Sequence, residues 1–458
     1  MGTKRDCRKG DNVDIQEIKD RIEAANVDSL RIDFPDLYGI CRSKLVPARR
    51  LEEVLEEGCN HVTATYAVDF ANDVAMGTGL GDEIQWRDMT VRPDPDTFAV
   101  LPYMEGTARF IGNAYGPDGK PLAVDPRNVL QRIIKRYEDL NLKPMVASEL
   151  EFFLFHQGGD ADGQPYNASP SCVYQVNPVV DPKGLLREFQ NLFIELGLDI
   201  IYLNHEFFPG QFEINWKYDS ALKMADQTFT FKYVSKEVAA MNDLLLTFMG
   251  RPKGDNGGSG YHIHASMFDP DSGRNLFDDP AGDHGVSDLL RYFLGGQMAH
   301  AKGMSAILAP TINSYRRFVL GAFCPFYLAW GWDNRTVYCR VPDERGSATR
   351  VENRGPCASA NPYLVLAAVL AAGLDGIENK IEPGEPAPDD VYGAEPGSLE
   401  TVTFWLQDAL ADFKADKALC EALGPELVQA FVAVKEHEVE RFRTAVTDWE
   451  FNEYAYHL

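Results

Sequence analysis

The spacing of apolar and polar residues predicts a small α+β unit in the first part of the chain. A helical period runs from about Ile15 to Ala25, and a strand-like run follows at Ser29–Phe34. Three further short strands, separated by turns rich in Gly, Asp and Pro, are predicted at Cys41–Val46, Asp88–Val91 and Thr97–Leu101.

The remainder of the chain alternates strands with long helices, a pattern that predicts a larger α+β unit. The predicted strands are Met145–Phe155, Glu213–Asn215, Gly260–Phe268 and Thr336–Arg340. The predicted helices are Asp125–Leu140, Pro182–Leu196, Ala221–Phe248, Val286–Ala309 and Pro362–Asn379. Two more helices are expected after the acidic loop Glu382–Asp390, and the aromatic segment Trp449–Leu458 is expected to pack on the body of the protein.

The boundary between the two units is predicted near Ala123. The segment Tyr115–Pro121 is rich in turn residues, and Asp125 followed by a proline is typical of a helix start. A chain of 458 residues is also longer than one hydrophobic core usually organises. We therefore expect a flexible tail at 1–14, an N-terminal domain at 15–122 and a larger C-terminal domain at 123–458.

The charge balance excludes two classes of partner. The chain has 44 Lys and Arg against 69 Asp and Glu, a formal net charge of −25, which would repel nucleic acid and anionic membranes.

Eight cysteines form no Cys-x-x-Cys pair, which favours reduced thiols. The longest apolar run, Leu364–Leu374, is too short to span a bilayer. We expect a cytoplasmic enzyme that binds neither nucleic acid nor membrane.

Two pairs of potential metal ligands lie inside predicted strands. Glu149 and Glu151 are separated by one residue, as are His262 and His264, so each pair points to one face of its strand. Two acids on one face of an apolar strand need a compensating charge if they are buried, and a divalent metal supplies it. The alternative is that this face is wetted at a domain edge.

Glu206 and Glu213 add two more carboxylates. They bracket Pro209-Gly210, which predicts a tight bend that brings both acids together, although each alone also fits a surface position. Four glutamates with His262 suit Mg²⁺ or Mn²⁺, and this number of ligands fits two adjacent ions.

A glycine-rich loop and an arginine cluster complete the candidate chemistry. The loop Gly254–Gly260 allows a close backbone approach to a ligand, but it matches neither nucleotide-binding glycine motif and alone would be only a turn. Guanidinium groups bind carboxylate and phosphate, so an arginine cluster in an acidic protein indicates a site for small anions. The alternative is that these arginines form ordinary ion pairs. The clustered arginines are Arg316, Arg317, Arg335, Arg340, Arg350 and Arg354.

These segments, taken together and in this order, resemble the glutamine synthetase superfamily over nearly the whole chain. The matching segments are Glu149-x-Glu151, Pro209-Gly-Gln-x-Glu213, Gly257-Gly-Ser-Gly-Tyr-His262-x-His264, Asn313-Ser-Tyr-Arg-Arg317, Asn334-Arg335, Arg350-x-Glu352-x-Arg354 and Ala360-Asn-Pro-Tyr363. The resemblance implies an α+β fold with a small N-terminal β-grasp domain and a larger C-terminal catalytic domain of the glutamine synthetase type. It also implies a homo-oligomer of stacked rings with active sites between subunits.

The resemblance further implies a role for each site residue. Glu151, Glu206 and Glu213 would hold one metal, and Glu149, His262 and Glu352 the other. Arg317 and Arg354, helped by Asn256 and Gly257, would bind substrate glutamate. Arg335 and Arg340 would face the transferred phosphate, with Glu206 also in a catalytic role. His264, Ser266 and Arg350 would line the nucleotide, so ATP is the expected co-substrate, with two or more Mg²⁺ or Mn²⁺ ions.

Three departures from the family pattern affect the expected acceptor and regulation. Where glutamine synthetases carry a glutamate that closes over ammonium, this chain has Phe323 within Gly321–Pro325. The N-terminal Asp-Gly-Ser-Ser element is replaced by Tyr66–Asp73, which leaves open whether Asp69 or Asp73 reaches the neighbouring site. The adenylylation motif is not recognisable around Tyr392.

Phe323, beside Tyr174 and Glu206 in the expected acceptor pocket, predicts that the nucleophile carries a hydrocarbon. The predicted activity is therefore ATP-dependent ligation of the glutamate γ-carboxylate to a small organic amine, an alkylamine or arylamine, through γ-glutamyl phosphate. The alternatives are a glutamine synthetase that uses ammonia and a γ-glutamylpolyamine synthetase. A metal-dependent hydrolase and a noncatalytic relative are candidates from other classes.

Overall fold

The computed structural model describes residues 14–167, 173–254, 257–319, 323–395 and 397–458. The chain folds into two compact units. The first contains the described residues up to Phe34, together with Cys41–His61 and Asp88–Leu122, and the second contains Pro35–Ile40, Val62–Arg87 and Ala123–Leu458. The predicted tail lies almost entirely outside the described residues. Residues 35–40 and 62–87, which the sequence analysis placed in the N-terminal domain, belong to the second unit.

Over its described residues, the first unit is a sheet with two helices. Its elements are α1 (Ile15–Ala24), β1 (Ser29–Pro35), β2 (Cys41–Pro47), α2 (Leu51–Glu57), β3 (Cys59–Val62), β4 (Asp88–Pro93), β5 (Ala99–Val100) and β6 (Thr107–Tyr115). The strand order is β2-β1-β6-β4-β3, and β5 pairs with β6. β1 runs parallel to β6, whereas β4 runs antiparallel to it.

The second unit has a large mixed sheet with the order β13-β14-β15-β12-β7-β9-β8, to which β10 and β11 add by pairing with β7. The strands are β7 (Lys143–His156), β8 (Ile200–His205), β9 (Gln211–Trp216), β10 (Asp219–Ser220), β11 (Leu244–Thr247), β12 (Tyr261–Phe268), β13 (Trp330–Trp332), β14 (Cys339–Val341) and β15 (Val351–Asn353). The helices are α3 (Pro126–Asp139), α4 (Leu185–Glu195), α5 (Ala221–Met241), α6 (Asp288–Ala299), α7 (Ala301–Leu308), α8 (Pro362–Asn379), α9 (Leu406–Ala415), α10 (Lys417–Leu423), α11 (Pro425–Thr444) and α12 (Asp448–Tyr454). The predicted mixture of helix and strand is confirmed.

One face of the large sheet carries the aromatic core of the second unit. Phe152 on β7 is fully buried, and its ring lies 5.8–6.3 Å from the rings of four other phenylalanines. These are Phe189, Phe212, Phe231 and Phe248. Because side chains alternate along a strand, the odd-numbered residues Glu149 and Glu151 point to the opposite face.

The long predicted helix Ala221–Phe248 is wrong beyond Met241. Asp243 adopts a left-handed backbone, with φ of 55°, and the chain then forms β11, which pairs antiparallel with Phe153–His156 of β7. A short apolar run such as Leu244–Leu246 has no period that separates helix from strand, so the pattern could not show the turn.

The predicted helix Val286–Ala309 is two helices, α6 and α7, which meet at His300. The predicted strand Thr336–Arg340 begins only at Cys339. In the described part of the chain, four helices rather than two follow the acidic loop. The expectation that the last aromatic residues pack on the body is wrong for the single chain, because Trp449, Phe451 and Tyr456 are 63–85% exposed.

The helices of the described residues do not include one long and apolar enough to cross a membrane. The cysteines that the structure describes are all free thiols, at Cys41, Cys59, Cys324, Cys339, Cys357 and Cys420.

Candidate active site

Strand register brings the predicted acids and histidines onto one face of the large sheet. Glu149 on β7 lies opposite His262 on β12, and Glu151 lies opposite Glu213 on β9. Residues directly opposite each other in an antiparallel pair, and residues two apart on a strand, share one face. His264 on β12 in turn lies opposite Glu352 on β15, so the same face continues across four neighbouring strands.

Glu149 contacts both histidines of this face, His262 and His264. One of its carboxylate oxygens lies 2.7 Å from Nδ1 of His262, and the other lies 3.4 Å from Nε2 of His264. Burial alone would raise the pKa of Glu149, but His262 holds it well below its usual range. Glu149, His264 and Glu352 each offer a ligand atom within 4.8 Å of the other two, so these three can hold a metal ion.

Glu352 is fully buried between two arginines. Nη1 of Arg340 donates to one of its oxygens at 2.8 Å, and Arg354 donates to the other. Burial would raise the pKa of Glu352, but Arg354 and the neighbouring histidines lower it to about 2. A second carboxylate, Asp333, accepts from Nε of Arg340 at 3.1 Å, which fixes the guanidinium beside the acid cluster.

Glu151 is held by backbone and amide donors instead of arginine. It accepts hydrogen bonds from the backbone N–H of Gly260 at 2.7 Å and from Nε2 of Gln211 at 3.1 Å. The same Gln211 nitrogen donates to the Gly258 carbonyl at 3.1 Å. Gln211 therefore ties the glycine-rich loop to the carboxylate side of the site.

Glu206 and Glu213 are carboxylates whose surroundings, among the described residues, are dominated by other acids. The bend predicted at Pro209-Gly210 is confirmed, since Glu206 N–H donates to the Gln211 carbonyl and Gly210 has φ of 74°. Burial, and then Glu151, raise the pKa of Glu206 to about 7. Burial, and then Glu149, raise the pKa of Glu213 to about 10. Crowded carboxylates that prefer to be protonated are what a divalent cation would relieve, so the donor set fits Mg²⁺ or Mn²⁺.

A cleft of about 380 Å³, open to solvent, lies next to these carboxylates. Its lining includes Glu151, Glu206, His262, Arg317, Phe207 and Phe323. The buried Arg317 donates from Nη1 to the Pro356 carbonyl at 3.0 Å, and its Nε has no hydrogen-bond partner among the described residues. A buried guanidinium with an unused donor beside a cleft can bind an anion.

The structure places the remaining predicted residues as follows. Arg350 donates from Nε to Nδ1 of His264 at 3.2 Å, and the buried Ser266 donates to the Thr349 carbonyl at 2.9 Å. Arg335 and Tyr174 are exposed, the latter by 72%. Although most of this side chain is exposed, partial desolvation and then the negative charge of Glu206 raise the pKa of Tyr174.

Asn256, Gly321 and Ala322, which belong to the expected binding loops, lie outside the described residues. Gly257 is described, and a Cβ on it would lie only 2.1 Å from the Phe208 ring, so the chain needs glycine there.

The two candidate aspartates of the Tyr66–Asp73 segment differ in their surroundings. Asp69 is 2% exposed, pairs with Arg441 and accepts from the backbone N–H groups of Ala71 and Asp73. Asp73 is exposed. Asp69 is therefore used within its own chain, and Asp73 is the one whose carboxylate is accessible.

The sequence analysis missed three residues that shape the site. Lys232 on α5 is buried and donates from Nζ to the Ala358 and Ala360 carbonyls at 2.8 and 2.6 Å, which fixes the segment after Arg354. Asp333 orients Arg340. Phe207 lies in the cleft, and the available signal was a pair of phenylalanines in a turn between two acids, where polar residues are usual.

The chain is similar to known proteins along most of its length. The glutamine synthetase catalytic domain model matches residues 123–454. The chain is 35% identical over 446 residues to a glutamine synthetase of Halobacterium salinarum, covering 95% of each chain. It is 36% identical over 450 residues to a glutamine synthetase of Thermotoga maritima, covering 96% of this chain and 99% of the relative.

Solved structures of GmaS share the fold. GmaS without ligand matches with a TM-score of 0.84 at 32% identity, over 94% of this chain and 98% of that chain. A GmaS complex with ADP matches with a TM-score of 0.85 at 32% identity, over 95% and 98%. Because the family model matches most of the chain and the relatives align along nearly all of it, this protein belongs to the glutamine synthetase family.

Proposed function

We propose that this protein is an ATP-dependent ligase that joins the γ-carboxylate of glutamate to an organic primary amine, an alkylamine or arylamine. The observation that carries the proposal is Phe323, an apolar side chain in the cleft beside Glu151, Glu206 and Arg317. GmaS, a γ-glutamylmethylamide synthetase, is similar to this chain over nearly its whole length, which supports an organic acceptor.

The acid cluster is the proposed metal and phosphate site. Glu151, Glu206 and Glu213 would hold one divalent ion, and Glu149, Glu352 and a histidine the other. Ions bound there would neutralise the charge of the ATP phosphates. Both histidines are candidate ligands. Nδ1 of His262 lies 2.7 Å from Glu149, and His264 offers a ligand atom within 4.8 Å of those of Glu149 and Glu352.

Around these ions, the arginines have separate proposed roles. Arg340, fixed by Asp333 and Glu352, and the exposed Arg335 would stabilise charge on the transferred phosphoryl group. Arg317 and Arg354, with Asn256 and Gly257, would bind the glutamate carboxylate. His264, Ser266 and Arg350 would line the nucleotide, as implied by their common position beside β15.

The proposed reaction has two steps. A γ-carboxylate oxygen of glutamate attacks the γ-phosphorus of ATP, and ADP leaves, which gives γ-glutamyl phosphate. The neutral amine nitrogen then attacks the acyl carbon, phosphate leaves, and one nitrogen proton is lost to a nearby base. Glu206, which lines the cleft with Phe207, would take that proton.

The proposed acceptor contacts are apolar. Each methylene buried against Phe323 contributes roughly 0.8 kcal/mol, which rewards an alkyl or aryl group over the bare ammonium ion. A polyamine would place a second ammonium against the same ring and lose hydration there. We therefore place a polyamine last among the organic acceptors.

A phosphate-release assay with ATP, glutamate and Mn²⁺ or Mg²⁺ tests the proposal. The acceptors are ammonium, methylamine, isopropylamine, aniline and 1,4-diaminobutane, each also measured without ATP. We expect the highest kcat/KM with a monoamine and no turnover without ATP. A clear preference for ammonium would refute the organic acceptor, and turnover without ATP would indicate a hydrolase.

The variant Phe323→Glu restores a carboxylate at the position that carries one in glutamine synthetases. We expect the ratio of kcat/KM for ammonium to that for isopropylamine to rise about tenfold or more, because a charge replaces an apolar contact. Phe323→Leu, which keeps the position apolar, is the matched control and should retain the preference for an amine. Equal ratios in both variants would contradict the role of Phe323.

A glutamine synthetase that uses ammonia is the second candidate function. It is favoured by the names of the relatives from Halobacterium salinarum and Thermotoga maritima. The same acceptor panel decides between the two, because the ammonium arm is measured beside the amines. The proposed assembly is a homo-oligomer of stacked rings in which Asp73 reaches the neighbouring site.

A further inference from the structure

The cleft contains a second exposed aromatic side chain that the family pattern does not explain. The rings of Phe207 and Phe323 have centroids 5.1 Å apart, with an angle of 31° between their planes. Both line the cleft with Glu206, and they are 50% and 57% exposed. Two large apolar side chains that remain half exposed beside carboxylates form a surface suited to an apolar ligand.

The two phenylalanines come from different kinds of segment. Phe207 lies in the bend between β8 and β9, which is closed by hydrogen bonds from Glu206 N–H to the Gln211 carbonyl and from Gln211 N–H to the Phe208 carbonyl. Phe323 has φ of 54°, a left-handed conformation that is unfavourable for a bulky residue. Phe323 therefore depends on its surroundings to hold its position, and its ring packs against Phe207.

We propose that Phe207 is a specificity-determining residue for the amine, which holds Phe323 in place and forms one continuous aromatic wall with it. This inference rests on the proposed function and deepens it, because it names the shape of the acceptor. Rings with centroids at 5.1 Å are in contact, so nothing inserts between them. The hydrocarbon of the acceptor instead lies along the exposed faces of both rings.

The wall selects a class of amine. A linear alkyl chain or a flat aryl ring can touch both phenylalanines at once, whereas methylamine reaches too little of the surface to benefit. A second charged group would lose hydration against the wall. We therefore infer a monoamine with a linear or flat uncharged hydrocarbon longer than one carbon.

The test is kcat/KM for methylamine, ethylamine, propylamine and butylamine with wild-type protein and Phe207→Ala. In the wild type we expect kcat/KM to rise roughly fourfold for each added methylene while it contacts the wall. In Phe207→Ala we expect kcat/KM to be nearly the same for all four amines. Because every acceptor uses the same glutamate and ATP sites, a partial folding defect lowers all rates alike and leaves their ratios unchanged.

A double-mutant cycle separates a positioning role from an independent contact. If Phe207 holds Phe323, the butylamine to methylamine ratio in Phe207→Ala/Phe323→Ala will resemble that in Phe207→Ala alone. Phe207→Tyr keeps the ring and should restore the ratio. Phe442→Ala removes a phenylalanine that is 40% exposed and does not line the cleft, so it should leave the ratio unchanged.

Each negative outcome has a distinct meaning. If the wild type uses only ammonium, the proposed function itself fails. If the wild type prefers longer amines and Phe207→Ala retains the full preference, the proposed function stands and the role of Phe207 is refuted. Additive effects of the two alanine substitutions would refute the positioning of Phe323 by Phe207.

Discussion

Glu213 is a residue of the candidate site whose surroundings disfavour its charged form. It is buried on β9 opposite Glu151, and its one short side-chain hydrogen bond in the described structure comes from Nδ2 of Asn215 at 2.7 Å. Burial and the neighbouring glutamates raise its pKa to about 10. Functional sites commonly keep such unfavourable groups at the expense of stability.

We predict that Glu213→Gln stabilises the metal-free protein and weakens metal binding. The raised pKa means that wild-type stability falls as the pH rises from about 4.5 to about 10, because the folded chain retains a proton that the unfolded chain releases. The neutral amide avoids this loss, so the free energy of unfolding should increase by about 1–2 kcal/mol near pH 8. Chemical denaturation after EDTA treatment measures it.

The affinity for Mn²⁺, measured by calorimetry, should fall by more than about tenfold in the same variant. Glu421→Gln, an exposed substitution on α10, is the matched control and should change neither quantity. Unchanged stability of Glu213→Gln between pH 6 and 9 relative to wild type would contradict the proposed repulsion.

Individual elements were predictable where a local pattern decides them. Glu149-x-Glu151 and His262-x-His264 occur in strands, and strand alternation alone places each pair on one face. α8 has the predicted bounds, with Asn361 accepting from Tyr363 N–H at its start and Pro362 at its first position. The break at His300 was not predictable from local pattern, and both partners of the His300 ring lie more than 70 positions away.

His300 joins three helical segments through its ring. Nδ1 lies 2.7 Å from Asp416, which begins α10, and Nε2 lies 3.0 Å from Asp375 on α8. A ring with both nitrogens bonded to carboxylates must carry a proton on each, and the hydrogen bond to Asp416 raises its pKa. Gly303 leaves room for this carboxylate, since a Cβ there would lie 2.3 Å from Asp416.

We predict that His300→Gln lowers the free energy of unfolding by about 2 kcal/mol at pH 6 and by less at pH 9. The folded pKa is raised, so the contribution of His300 is complete below its unfolded value near 6.5 and is lost as the pH rises through the folded pKa. Urea unfolding of wild type and variant across this pH range measures the difference. His457→Gln is the control, and a difference between wild type and His300→Gln that does not depend on pH would contradict the charged ring.

Across the whole molecule, the sequence predicted the family, which the comparisons confirm. It also named the acids, histidines and arginines that are proposed to form the site, because these occur as ordered motifs. It did not predict the contact between Phe207 and Phe323, which joins two loops separated by more than 100 residues. It also misjudged the last aromatic residues, since apolar composition does not say whether the covering surface belongs to the same chain.

Those residues lead to a prediction about assembly. α12 begins with a capping box formed by Thr447 and Glu450, yet Trp449 and Phe451 on it are 63% and 64% exposed. An ordered helix with exposed aromatic side chains is typical of a surface that another chain covers, and a homo-oligomer provides that chain as a second copy. We therefore expect the proposed homo-oligomer of Trp449→Ser/Phe451→Ser to dissociate at a higher protein concentration than that of the wild type, as measured by mass photometry. Glu453→Gln, on the same helix, should leave the dissociation midpoint unchanged, because it removes no apolar contact. If the aromatic variant keeps the wild-type mass down to the lowest measurable concentration, α12 does not contribute to the contact between copies. The exposed rings are then covered by a different partner or by none.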